Sequence, residues 1–193
     1  GSYPYVTSSH TLAGGCTIGS GIPPNRIDDI TGVMKVYQTR VGNGPFPTED
    51  TGENGEKLRE FGGEFGATTG RPRRCGWLDL LAARYSIMIN GITGLALTKL
   101  DVLDHFETIY VCRAYKYQNK IIDRFPADPV CLEEAEPVYE AVQGWNASTA
   151  DARSYEELPA GARKYVELIE AHCNVPVKYL SNGYRRDQII IRK

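Results

Sequence analysis

The stretch from Leu78 to Asn90 carries apolar residues at helical spacing, stops at Gly91, and is followed almost at once by a short apolar run from Gly94 to Leu100. Glycine is the usual residue just past a helix end because it enters the left-handed backbone conformation without strain. The run that follows is too short for a second helix and reads as a buried strand. A helix feeding directly into a buried strand constrains the chain to the α/β class, a sheet with flanking helices. It also sets Thr98-Lys99-Leu100-Asp101 at the strand's C-terminal end, the edge at which open α/β sheets bind ligands.

Other segments extend this pattern. Thr7 to Gly21 is almost entirely Ser, Thr, Gly and Ala and reads as a loop, preceded at Tyr3 to Val6 by the end of a strand. Pro23 and Pro24 open a short helical turn reaching Asp29, and Val33 to Val41 is a strand ended by Gly42 and Gly44. Phe46 to Phe65, polar and glycine-rich, reads as a surface excursion. Glu107 to Lys116 and Lys120 to Phe125 pair as a hairpin around Gln118-Asn119, with a further strand at Pro137 to Val142. Ser154 and Glu157 have capping-box spacing, and Leu158, Ala162, Tyr165, Val166, Ile169 and Cys173 then share one helical face. Val175 to Leu180 and Gln188 to Ile191 close the chain as strands, with Ser181-Asn182-Gly183 between them as a second ligand edge.

At 193 residues and a formal charge of −2, the chain has the size of a single domain, residues 1–193, and no global basic field. Nucleic acid and anionic membrane are therefore not its expected partners. No apolar run approaches the roughly 20 residues that cross a bilayer, and the expected location is cytoplasmic. Cys16, Cys75, Cys112, Cys131 and Cys173 are odd in number and widely spaced, which predicts free thiols, mostly in the core, and no zinc site.

Charge is concentrated locally instead. Thr68-Thr69-Gly70-Arg71-Pro72-Arg73-Arg74 puts two hydroxyls and three guanidiniums in one short loop. Arginine offers a rigid fork of donors that matches carboxylate or phosphate in bidentate fashion, so this is anion-clamp chemistry, with a solvated basic loop as the plain alternative. Pro72 stiffens the loop, and the apolar stretch from Trp77 onward anchors one end. Lys99-x-Asp101 has the spacing by which guanine is read. A carboxylate accepts from the adjacent ring and exocyclic nitrogens of guanine, which adenine does not offer, while the lysine stem lies over the base. On its own the pattern is short, and an ordinary solvated pair at a strand end is the plainer reading.

Taken in order, several segments carry a family resemblance. They are Tyr3-Pro4-Tyr5-Val6-Thr7-Ser8-Ser9, Ala13-Gly14-Gly15, Thr39-Arg40-Val41-Gly42, Gly44-Pro45-Phe46-Pro47-Thr48-Glu49, Glu64-Phe65-Gly66-Ala67-Thr68-Thr69-Gly70-Arg71 and Leu97-Thr98-Lys99-Leu100-Asp101-Val102-Leu103-Asp104. Together they resemble the C-terminal part of the adenylosuccinate synthetases. The resemblance implies part of a large mixed sheet with flanking helices in a P-loop NTPase-like fold. It implies a GTP-dependent ligase of purine biosynthesis joining IMP and L-aspartate to adenylosuccinate, with Mg²⁺ as cofactor and a homodimer as the full-length assembly.

Carried onto this sequence, the resemblance assigns Thr7, Val41 and Arg71 to IMP. It assigns Ala67, Thr68, Thr69, Gly70, Arg71, Pro72 and Arg73 to aspartate, and Arg73, Lys99, Leu100, Asp101, Ser181, Asn182 and Gly183 to GTP. The phosphate-binding glycine-rich loop, the catalytic Asp and His and the Mg²⁺ ligands belong to an N-terminal half that this sequence does not include, so no catalytic or metal residue is expected here and the piece alone is expected to be inactive. His10, His105 and His172 inherit no catalytic role, and Pro72 stands where many members have a further arginine. Two other roles stay open at this level: a non-catalytic module binding guanine nucleotide or a dicarboxylate, and an interaction surface without chemistry.

Overall fold

The computed structural model describes residues 4, 5 and 10–192. Its elements in chain order are α1 (Gly14–Ser20), a 3₁₀ turn (Pro24–Arg26), β1 (Thr31–Lys35), β2 (Gln38–Arg40), α2 (Glu53–Gly62), β3 (Arg74–Gly76), β4 (Leu78–Asp79), α3 (Leu80–Asn90), β5 (Gly94–Thr98), a second 3₁₀ turn (Leu100–Leu103), β6 (Thr108–Tyr117), β7 (Lys120–Ile122), α4 (Pro129–Glu134), β8 (Glu136–Gln143), α5 (Ala160–Cys173), β9 (Val177–Ser181) and β10 (Ile189–Ile191). The strands form a mixed α/β arrangement of three sheets. The first has the order β1-β5-β9-β10, with β1, β5 and β9 parallel and β10 antiparallel to β9. The second is the antiparallel ribbon β2-β3. The third is built on β6, which pairs with β7 and β8 antiparallel and with β4 parallel.

Helices α3 and α5 lie on the crossovers between the parallel strands; α5 and the Leu80 and Ala83 side of α3 share the core of the first sheet, while Leu81 packs with Cys112 and Tyr115 of β6. In α5, Ala162, Tyr165, Val166, Ile169 and Cys173 are buried, the face expected from their spacing. Tyr165 also donates its hydroxyl to the carbonyl of Val36 at 2.6 Å, which satisfies the one polar atom it takes into the core. Helix α3 starts on Asp79, whose carboxylate accepts from the backbone N–H groups of Leu81 at 2.9 Å and Ala82 at 3.1 Å. It stops at Gly91, left-handed at φ 60°.

Four local differences from the sequence expectation have identifiable causes. Gly14 to Ser20 is helical in place of a loop, although its composition disfavours helix and no residue in it is buried. The anchor is tertiary: Ala13 N–H donates to the Asn90 side chain at 2.7 Å. The expected strand Val33 to Val41 is cut in two, because Val36 N–H still follows the ladder to Thr98 while Tyr37 turns into the core and Gln38 begins pairing with β3. The excursion from Phe46 to Phe65 contains α2, with buried Leu58 and the Glu53–Lys57 pair at 2.6 Å. Gly55 disguises that helix; it is needed because a Cβ there would lie 1.7 Å from the Asp50 carbonyl oxygen. The final helix begins at Ala160, not near Ser154. Leu158 precedes a proline and is steered away from helical backbone, so Ser154 and Glu157 form only a local turn, with Arg153 N–H donating to Glu157 at 2.7 Å.

The hairpin expectation holds: Gln118 and Asn119 have φ of 47° and 61°, the left-handed pair that a two-residue turn between β6 and β7 requires. Cys75, Cys112, Cys131 and Cys173 are buried and Cys16 is exposed, all as free thiols. The strand end predicted at Tyr3 to Val6 lies outside the described residues apart from Pro4 and Tyr5.

Candidate functional site

The parallel strands of the first sheet set the location. Lys35 of β1 is in register with Thr98 of β5, and Leu97 of β5 with Leu180 of β9, so the C-terminal ends of all three strands reach one edge together. Lys99 leaves that edge in the left-handed conformation, φ 64°, and sends its ammonium to the Gly62 carbonyl at 2.5 Å. Asp101 follows in the 3₁₀ turn, half-buried; desolvation raises its carboxyl, opposed by its own backbone N–H and by Lys99. Leu100 between them is fully buried and fixes the turn to the core.

Ser181, Asn182 and Gly183 occupy the neighbouring end of β9. Ser181 donates to the Gly183 carbonyl at 2.8 Å. Asn182 is fully buried and donates its amide to the carbonyls of Thr149 and, at 3.0 Å, Ala152. Beneath this lies Asp104, which accepts from Trp145 Nε1 at 2.7 Å, Thr149 N–H at 2.8 Å and Thr149 Oγ1 at 3.1 Å. Burial raises its carboxyl, while those three donors pull the other way. The segments expected to read guanine are thus adjacent and rest on one buried polar network.

The arginine loop projects from the same side of the fold. Its neck is closed by Arg73 N–H donating to the Glu64 carbonyl at 2.9 Å and Gly66 N–H to the Arg71 carbonyl at 2.8 Å. Gly70, at φ 64°, makes the turn and donates to the Gly66 carbonyl at 2.8 Å. Ala67, Thr68, Thr69, Gly70, Arg71 and Pro72 are all exposed. Val41 is 77% exposed and leaves the β2–β3 ribbon at the end where the arginine loop enters it, since Arg40 is paired in register with Arg74. Thr7, the remaining expected contact, lies outside the described residues.

The three arginines differ in what holds them. Arg71 makes no side-chain hydrogen bond or ion pair among the described residues, and its guanidinium is open to solvent. Arg73 is tied to Glu64 at 2.8 Å. Arg74 points away into a structural role, donating to Glu49 at 2.9 and 2.5 Å and to the Gly44 carbonyl at 2.8 Å, with its guanidinium over the Phe46 ring.

Glu64 was not among the expected site residues, nor were Lys35 and Tyr37. Its side chain is almost fully buried; one oxygen accepts from Lys35 at 2.7 Å and the Tyr37 hydroxyl at 2.6 Å, the other from Arg73. Lys99 stands 3.9 Å from it. Burial alone would raise the Glu64 carboxyl, but donation from Lys35, Tyr37 and Arg73 outweighs it and holds the carboxyl below its ordinary range. Burial, and then that same carboxylate, pushes the Tyr37 hydroxyl up. The position of Lys35 at the C-terminal end of a strand was the available signal; a lone glutamate before the loop gives none. Beside the cluster a cavity of about 450 Å³ opens between β1, β2 and α3, with Lys35, Tyr37, Gln38 and Thr39 on its polar side and Met34, Ala83, Ile87 and Ile92 on its apolar side. Such a volume is within the ordinary range for small-molecule sites.

Among the described residues no group of three or more His, Cys, Asp or Glu side chains converges as a metal site, and no helix is long and apolar enough to cross a membrane.

This arrangement is similar to that of proteins already known. The profile of the family described as adenylosuccinate synthetase matches residues 1–190. The adenylosuccinate synthetase of Thermodesulfovibrio yellowstonii is 54% identical over 193 residues and that of Salinibacter ruber 55% identical over 190. They are matched across 100% and 98% of this chain, which spans 45% and 43% of their own lengths. The fully ligated adenylosuccinate synthetase from Plasmodium falciparum superposes with a TM-score of 0.96 at 42% identity, over 100% of this chain and 46% of that one. The succinoaminodeoxyadenylate synthetase of cyanophage S-2L, at 18% identity and a TM-score of 0.57, shares the fold. The chain belongs to the adenylosuccinate synthetase family and corresponds to a little under half the length of these relatives.

Proposed function

We propose that this chain supplies the guanine-reading and aspartate-gripping part of a longer enzyme that joins IMP and L-aspartate at the expense of GTP. One observation carries the reading: the two predicted ligand segments meet on a single carboxylate, Arg73 at 2.8 Å and Lys99 at 3.9 Å from Glu64. Loops with unrelated tasks have no need of such proximity, whereas a reaction using a nucleoside triphosphate and a dicarboxylate together does.

In this reading Asp101 accepts from the ring and exocyclic N–H groups of guanine, Lys99 and Leu100 flank the base, and Ser181, Asn182 and Gly183 close the pocket. Ala67 to Arg73 holds aspartate, with Arg71 free to grip a carboxylate bidentately and the Thr68 and Thr69 hydroxyls adding shorter donors. Thr7, Val41 and Arg71 contact IMP. The purine oxygen of IMP attacks the γ-phosphorus of GTP, releasing GDP; the aspartate amine then attacks the activated carbon, and phosphate leaves. The contribution of this chain is orientation and charge. Mg²⁺ would supply charge neutralisation on the phosphates when bound, but the described residues do not assemble a site for it and no step here passes through it. The working enzyme is proposed to be a cytoplasmic homodimer in which residues 1–193 form one structural unit.

The test is turnover by the full-length protein containing this chain, supplied with IMP, aspartate, GTP and Mg²⁺. Adenylosuccinate, GDP and phosphate are expected in equal amounts, and Asp101→Asn is expected to shift the donor preference from GTP toward XTP, whose 2-oxo group accepts where guanine donates. Absence of ligation product, or equal use of ATP and GTP by the wild type, would refute the assignment.

A further inference from the structure

Glu64 has a task that its burial does not explain. Three cations surround it: Lys35 from β1, Arg73 from the arginine loop and Lys99 from the guanine loop. Glu64, with Asp101 facing Lys99, gives two carboxylates against three cations, so the cluster keeps one surplus positive charge, and each of the three cationic side chains stays between a quarter and two-fifths exposed at the ligand edge while the Glu64 carboxylate is sealed. Structural ion clusters minimise such surplus because each unpaired buried charge is costly. A surplus facing an open edge suits anionic ligands that arrive there.

The backbone of Glu64 is fixed as well. Its N–H donates to the Arg59 carbonyl at the end of α2 at 2.8 Å, and its carbonyl closes the neck of the arginine loop. Arg59 in turn donates to the Arg73 carbonyl at 3.0 Å. The residue therefore cannot follow either cation if that cation is drawn away, and it acts as a fixed post between two loops. Resting on the function proposed above, we infer that Glu64 is a positioning residue that aims Arg73 and Lys99 together, so that the aspartate and GTP sites are set by one side chain.

Two sites set by one post must respond together when it is removed, and the response must spare a ligand bound elsewhere. In the full-length synthetase, Glu64→Gln keeps the side-chain volume but replaces charge-assisted bonds by neutral ones. It is expected to raise KM for aspartate by about tenfold, the scale of the charge-assisted hydrogen bond that Arg73 loses, and KM for GTP by about threefold or more, because Lys99 loses an ion pair at 3.9 Å but keeps its bond to the Gly62 carbonyl. KM for IMP should move less than about twofold, because no expected IMP contact is held by Glu64. Glu64→Asp, which keeps the charge and shortens the reach, should fall between the two and serves as the test if the glutamine variant does not fold.

A purely structural role predicts a different pattern: lower thermal stability and a smaller active fraction, with all three KM values unchanged. That pattern overturns the inference, as does a rise confined to GTP or to aspartate alone. A wild-type enzyme that makes no adenylosuccinate overturns the functional reading and this inference together, whereas an active wild type with unaltered Glu64 variants removes only the inference.

Discussion

Asp104 gives the sharpest quantitative handle on how this fold supports the candidate ligand edge. Its carboxylate is buried and accepts three hydrogen bonds, from the Trp145 indole and from both the N–H and hydroxyl of Thr149, itself fully buried. Asp104→Ala leaves those donors without an acceptor. A hydrogen bond to a charged group contributes about 1.5–3 kcal/mol net, and an orphaned buried donor costs about 1–3 kcal/mol, so after the relieved desolvation of the charge the expected loss is about 4 kcal/mol. Asp104→Asn keeps one accepting oxygen and turns an NH₂ toward the remaining donor, for an expected loss of about 2 kcal/mol. Equilibrium urea denaturation followed by fluorescence measures both, and Trp145 reports directly on the perturbed bond. The sign with pH is informative too. Burial raises the Asp104 carboxyl in the folded state above its ordinary 3.8, so this group favours the folded state increasingly as pH falls through the raised value. Asparagine cannot do so, and the deficit of Asp104→Asn should grow as pH is lowered from 7. A loss below about 1 kcal/mol for Asp104→Ala, or a deficit that shrinks with acid, would show that the network does not carry the load assigned to it.

Further outcomes follow from single groups. In the native protein only Cys16 should react quickly with a thiol reagent, with all five reacting in urea, because Cys75, Cys112, Cys131 and Cys173 are buried and burial pushes the Cys75, Cys112 and Cys173 thiols up to about 11, about 12 and about 11. Tyr165→Phe removes the bond to Val36 without changing the packing and should cost about 1 kcal/mol in chemical denaturation, with no loss marking that bond as energetically idle. The Glu64 carboxyl is held below its ordinary 4.5, so its contribution to stability is present above that value and is lost as pH falls through the lower folded value. Glu64→Gln should therefore flatten the acid limb of the stability profile, and a parallel limb in wild type and variant would count against the ion cluster.

How much of this was legible in the sequence depended on whether the signal was local. Leu78 to Gly91 and the apolar face from Leu158 to Cys173 announce themselves because periodicity and a stop glycine lie within the segment. The Gln118-Asn119 turn does so because its backbone demands residues tolerant of positive φ. Helix α1 is invisible because a bond to Asn90, far along the chain, supports it. Helix α2 is hidden by Gly55, which answers to the Asp50 carbonyl rather than to helix propensity. In the candidate site, residue chemistry singles out the Lys99–Asp101 and arginine segments, which the fold brings onto Glu64, but it does not single out Glu64 itself. A carboxylate becomes the centre of a cluster only when β1, α2 and β5 bring Lys35, Gly62 and Lys99 around it, and no spacing in the chain encodes that convergence.

The arginine run shows why residue type and function separate at this level. Arg71, Arg73 and Arg74 are chemically identical and almost contiguous, yet the nearest carboxylates assign them different work. Arg74 meets Glu49 and the carbonyls of Gly42 and Gly44, and Arg40 donates to the Asn43 carbonyl at 3.1 Å, so this pair of cations braces the loop from Gly42 to Glu49. Arg73 shares its carboxylate with two lysines, and its buried Nε has no partner among the described residues. Among the described residues Arg71 has no carboxylate partner, which at a loop tip flanked by threonine hydroxyls leaves its bidentate capacity available. A dicarboxylate entering between Arg71 and Arg73 would thus meet one guanidinium that can follow it and one that is held in place. In the proposed aspartate site that asymmetry would orient a substrate with two similar ends, because only the carboxylate at Arg73 would be held near Glu64 and Lys99.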